Sequence, residues 1–204
     1  MRTSTGLSGT SYGVLLLWIF GWALIAAGCS LFEPRDAEEP SQSGLDFRPP
    51  TDPTVLIANL QAAIDQKNLA NYTSCFADPS RGRPFVFFPS AEALAQYPSL
   101  LDEWTYADEQ AYFQNMMAKT PPSSFTNLVL TLRSSSVTAD SVVYSYDYTL
   151  TIEHTDPSFP RTARGNLQFV LAPDRSNFWA IYRWNDYKTT GEVTWSLFKG
   201  KFGN

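Results

Sequence analysis

Residues 142–154 read VVYSYDYTLTIEH. Val142, Tyr144, Tyr146, Tyr148, Leu150, Ile152 and His154 fall on one side of an extended chain, while Val143, Ser145, Asp147, Thr149, Thr151 and Glu153 fall on the other. Such alternation, apolar or aromatic against small or polar, predicts a long strand with one buried face. The flanking stretches behave alike. FTNLVLTLRSS (125–135) groups Leu128, Leu130 and Leu132, and ARGNLQFVLAP (163–173) groups Gly165, Leu167, Phe169 and Leu171. NFWAIYRWNDY (177–187) places Phe178, Ala180, Tyr182, Trp184 and Asp186 on one face, and EVTWSLFKGKF (192–202) reads as a last strand.

Upstream the period becomes helical. Asp52 suits an N-cap and Pro53 a first helical turn, and Leu56, Leu60, Ala63 and Ile64 then recur at helical spacing. This helix should end between 68 and 71. RPFVFFPS (83–90) is a short strand candidate, followed by short helices near 90–96 and 106–118 on either side of Pro98. Helices followed by four or five long antiparallel strands give an α+β class, with N-terminal helices packed on one side of the sheet. Hydrophobic residues make up 44% of the chain and charged residues 17%, enough to bury a core. The net charge of −5 and the lack of any basic run exclude a nucleic-acid binder.

The first thirty residues carry an address. Arg2 precedes an uncharged run, VLLLWIFGWALIAA (14–27), and Ala26, Ala27 and Gly28 lead to Cys29. A positive start, a short apolar core and small residues at a cut are the layout of an export signal, and the run falls short of the roughly 20 residues a spanning helix needs. LIAAGCS (24–30) resembles the lipobox of bacterial lipoproteins, with Ala26 standing where that pattern usually has Leu. The resemblance implies removal of residues 1–28 as a signal peptide and acylation of Cys29, so that the chain is held to a membrane of the cell envelope by its acyl chains. Ser30 then points to the outer membrane if the organism has two. A secreted protein with an incidental Cys29, or a single N-terminal anchor, are the other readings. Residues 29–52 are rich in Pro, Ser and acid and lack periodicity, as in a disordered tether. Residues 53–204 form the folded domain.

That domain resembles the NTF2-like (cystatin-like, SnoaL-like) superfamily in its layout, in AAIDQKNLANYTSCF (62–76) and in FWAIYRWND (178–186). The resemblance implies a curved sheet wrapped around helices as a cone with an open mouth, and isomerase chemistry in some members. Candidate catalytic groups are few. Asp186 sits on an aromatic face where burial would raise its pKa for proton transfer; otherwise it ends a strand and caps a turn. His154, the one histidine, is a rim acid or base, or a half-exposed strand-end residue. Asp147 belongs to the solvated side, and Cys75 reads as a buried thiol. Trp104, Tyr144, Tyr146, Tyr148, Tyr182 and Trp184 are core residues or the lining of a ligand pocket.

No zinc or calcium ligand spacing, phosphate loop or nucleophile elbow is present, and no cofactor is implied. A binding or scaffold domain for a small apolar ligand or a protein partner follows, rather than an enzyme. An isomerase or hydrolase using Asp186 or His154, and a structural homodimer, stand beside it. Cys29→Ser is expected to abolish incorporation of a labelled fatty acid and to release the protein to the soluble fraction; undiminished labelling would contradict the lipobox reading.

Overall fold

In the computed structural model, residues 47–189 and 193–203 are described; the signal, Cys29 and the tether up to residue 46 lie outside them. Helix α1 (Pro53–Asp65) begins as its sequence dictates, with the Asp52 carboxylate accepting from the Thr54 N–H at 2.7 Å. It stops earlier than its periodicity suggests. Lys67 takes the left-handed conformation, φ 54°, and the Asn68 side chain then caps a separate short helix, α2 (Leu69–Thr73). Strand β1 (Val86–Phe88) follows, then α3 (Ala91–Gln96), α4 (Pro98–Leu101) and α5 (Tyr106–Ala118). A reciprocal capping box between Thr105 and Asp108 sets the start of α5.

Strands β2 (Thr126–Val137), β3 (Val142–Ile152), β4 (Thr162–Pro173) and β5 (Trp179–Tyr187) pair antiparallel in sequence order. The short β1 adds to the far edge of β5, parallel to it. Tyr148 lies opposite Leu130 on one side and Gly165 on the other. Gly165 lacks the Cβ that would meet the Tyr148 hydroxyl at 2.8 Å, which is the close approach a strand glycine permits.

Register shifts in β2 beside Arg133 and in β5 beside Tyr182 each insert an extra residue and bend the sheet. The second overturns the simple alternation of β5. Trp184 opposes Phe169 but Ile181 opposes Leu171. Ile181, not Tyr182, therefore joins Trp184 and Asp186 on the buried face, and Tyr182 is left half-buried.

The last segment is a second correction. The stretch expected as a strand forms a helix, α6 (Trp195–Phe202). It lies in the concavity of the sheet, against α5, α3 and β4, and Trp195, Phe198, Lys199 and Phe202 are at most 1% exposed. Its first turn is bonded to Tyr148 of β3 and Asp186 of β5. Gly200 lets the helix sit down, since a Cβ there would come within 2.2 Å of the Tyr97 ring.

Filling the cone places a cation in its middle. Lys199 Nζ is ion-paired with Glu109 of α5, both side chains essentially without solvent contact. The Glu109 carboxylate also accepts from the Tyr72 hydroxyl at 2.5 Å and from the Trp104 indole N–H at 2.8 Å. The rings of Trp184, Phe87, Tyr112 and Trp104 stand 4.0–5.2 Å from the ammonium. Burial pushes the Lys199 pKa down to about 8, while Glu109 and Asp186 pull it back up. Cation–π contacts with desolvated rings are worth about 2 kcal/mol or more. Removing one member of a buried pair costs about 3–5 kcal/mol, because the survivor's charge stays buried. Lys199→Met should therefore lower the unfolding free energy by about 3–5 kcal/mol, and the double variant Glu109→Gln/Lys199→Met should recover most of that loss. Additive losses in denaturant titrations would contradict the coupling.

Candidate functional site

Asp186 lies at the end of β5, 2% exposed, pointing at the start of α6. Its Oδ2 accepts from the Ser196 backbone N–H at 2.7 Å and the Ser196 hydroxyl at 2.5 Å, and its Oδ1 accepts from the Tyr148 hydroxyl at 2.9 Å. The Tyr148 oxygen in turn accepts from the Trp195 N–H at 2.7 Å. Together the two side chains satisfy the first two amides of α6 and set a carboxyl group at its positive end. Burial raises the Asp186 pKa; hydrogen bonds from Ser196 and Tyr148 and the nearby Lys199 oppose the rise. The group points into packed protein, where it holds a helix.

His154 is 1% exposed rather than half-exposed. Its Nε2 lies 3.1 Å from the Pro160 carbonyl, and Phe159, Phe198 and Phe202 surround the ring at 5.2–6.0 Å. Phe198 and Phe202 of α6 cover it. Asp147 is on the solvated side, paired with Arg133 at 2.9 Å. Cys75 is fully buried, and desolvation pushes its thiol pKa up, which makes it a poor nucleophile. Among the described residues no group of three or more His, Cys, Asp or Glu is placed to hold a metal ion.

The aromatic row divides between core and surface. Trp184 is the hub of the core, edge-on to Trp195 at 4.5 Å and to Phe169 at 5.2 Å. Tyr148 and Tyr146 are buried and Tyr144 is half-buried. Trp104 closes the Glu109 site from inside and lines a shallow cleft beside β1 with Phe87 and Leu101. Tyr182 alone of the six lines the larger cleft.

That larger cleft, about 560 Å³, opens at the other end of β5. Its geometry follows from what the chain does at the sheet edge. Residues 75–77 run parallel to β5, with Ala77 N–H donating to the Ile181 carbonyl and Ile181 N–H to the Cys75 carbonyl, each at 2.9 Å. The chain then leaves the edge and returns as β1. Between them it makes a turn at Pro79–Arg81, capped by Asp78, and passes Gly82 at φ 148°, a backbone angle that favours glycine. The gap so vacated is lined at its floor by the buried Phe76 and Ala180 and the half-buried Tyr182, with Trp179, Phe178 and Tyr106 around it.

The opposite wall is Phe47, Pro49 and Pro50. This segment, assigned to the tether by composition, is packed: Pro50 is buried and accepts from the Trp179 N–H at 2.7 Å. Asn59, 2% exposed on α1, fastens it by accepting from the Arg48 N–H and donating to the Arg48 carbonyl at 2.6 Å. Three arginines, Arg81, Arg83 and Arg175, and two aspartates, Asp78 and Asp174, also line the cleft. Sequence reasoning missed this site because its walls come from four separated segments. The available signal was the pairing of Phe178–Trp179 with a turn containing Arg175.

No family model matches the chain, and no curated protein matches it. Solved structures do. An NTF2-like family protein from Streptomyces avermitilis is 11% identical with a TM-score of 0.50, over 68% of this chain and 94% of that one. A conserved protein from Planctomyces limnophilus is 10% identical with a TM-score of 0.51, over 66% of this chain and 91% of the other. An NTF2-like superfamily protein from Salmonella enterica serovar Typhimurium is 18% identical with a TM-score of 0.49, over 68% and 90%. At these identities the likeness shows the fold alone, and the fold is NTF2-like.

Proposed function

We propose that the chain is a non-catalytic binding domain, held at the cell envelope by acylated Cys29, and that the 560 Å³ aromatic cleft is its binding site. The observation that carries this reading is where the chemistry went. The buried Asp186 carboxylate is spent on the first turn of α6, and His154 is enclosed by Phe159, Phe198 and Phe202 with its Nε2 on the Pro160 carbonyl. The concave surface left to a ligand is ringed by Phe47, Phe76, Tyr106, Phe178, Trp179 and Tyr182. Its volume lies within the usual span of small-molecule sites, roughly 300–1,000 Å³.

An isomerase or hydrolase would need a carboxylate in the cleft free to take a proton. Asp78 and Asp174 are the ones present, and both are engaged by backbone N–H groups of their own turns. Hydrogen bonds from Ser80 hold Asp78 below the usual carboxylate range, which weakens it as a base. The binding reading therefore accounts for more of the site.

Titration of the full chain with the neutral apolar dye Nile red tests it. One saturable site is expected, with affinity falling about tenfold in Trp179→Ala and again in Tyr182→Ala, each tenfold being about 1.4 kcal/mol. Absence of saturable binding, or affinity indifferent to both substitutions, would contradict the proposal.

A further inference from the structure

The lining of the cleft carries three arginines and two aspartates, although the whole chain is acidic, at −5. Asp78 Oδ1 accepts from the Ser80 N–H at 2.8 Å, and Asp174 Oδ1 accepts from the Ser176 and Phe178 N–H groups at 2.8 and 3.0 Å. Their remaining oxygens each stand 3.9 Å from the Arg81 guanidinium, beyond direct hydrogen-bond reach. Arg83 binds Asp140 at 2.7 Å and lies 5.2 Å over the Tyr182 ring. Arg175 makes no ion pair among the described residues. Its backbone N–H donates to the Arg81 carbonyl at 3.3 Å, which ties the β4–β5 turn to the 79–83 turn. Two guanidinium forks, those of Arg81 and Arg175, are thus carried on mutually bonded turns beside one aromatic cleft, with donors unused.

A guanidinium offers five N–H groups in a plane and matches a carboxylate bidentately. Aromatic walls take a flat ring by offset or edge-on contact. We propose that the ligand of this cleft is an aromatic carboxylate, its ring between Trp179, Tyr182 and Phe76 and its carboxylate on Arg175 and Arg81. This rests on the reading of the cleft as the binding site and adds the chemical class of its occupant. Arg83 contributes less to the anion, because Asp140 already holds it, and serves to fix the Tyr182 ring.

Calorimetric titration of the full chain in detergent micelles, with 2-naphthoate and its neutral isostere 2-naphthamide, tests the assignment, with Nile red as an independent reporter of the cleft. The carboxylate is expected to bind at least tenfold tighter than the amide. Arg175→Gln, an exposed turn substitution, should remove most of that preference, and Arg175→Lys should keep part of it. Equal binding of the two naphthalenes, or a preference that survives Arg175→Gln/Arg81→Gln, with Nile red still bound, would overturn the anion assignment and leave the cleft in place. Failure of all three compounds to bind would overturn both.

Discussion

The docking of α6 into the concavity of the sheet is the contact on which the rest of this structure depends. Two buried polar arrangements hold it. At its start, Asp186 and Tyr148 take up the first two amides. One turn on, Lys199 meets Glu109 within four aromatic rings. Neither is cheap, since both bury ionisable groups. The helix is held at both ends of its buried face, its first two N–H groups on Tyr148 and Asp186 and its cation on Glu109.

With α6 packed against the sheet between α5, α3 and β4, the 560 Å³ cleft lies at the edge of β5. There the excursion of residues 78–85 leaves a gap that the next strand does not fill. The same departure from regular pairing sets the arginine-bearing turn against the β4–β5 turn. Irregularity at a sheet edge, flanked by a bulge at Tyr182, creates the site that regular pairing would have erased. Asn59 then completes it by holding the Phe47–Pro50 wall.

Much of the fold was legible in the sequence because the strands declare themselves. Period two across 142–154, with Tyr146, Tyr148, Leu150 and Ile152 buried, needs no tertiary knowledge. The α1 cap and the Pro98 break were legible for the same local reasons. The α6 segment was not. Val193, Trp195, Leu197 and Lys199 alternate with Thr194, Ser196 and Phe198, which imitates a strand; in fact Trp195 through Gly200 and Phe202 are all buried, and a helix buried on every side leaves no stripe to read. The environments of His154 and Asp186 were hidden by that one error, because α6 is what covers them. Asp186 was singled out by its face and burial, whereas Glu109, one acid among several at the start of α5, carried no local sign of its partner ninety residues away.

Native-state hydrogen exchange at residues 195–202 bears most directly on the claim that the helix is a fixed part of the core. The account predicts that the Trp195 and Ser196 amides, and those of the helix behind them, exchange only through global unfolding, with the same opening free energy as the paired amides of β3 and β4. Exchange of this helix at much lower free energy, with the β3–β4 ladder still protected, would mean that it leaves the cone while the sheet stays folded. The interior would then be open to a ligand, and the account would be wrong at its centre.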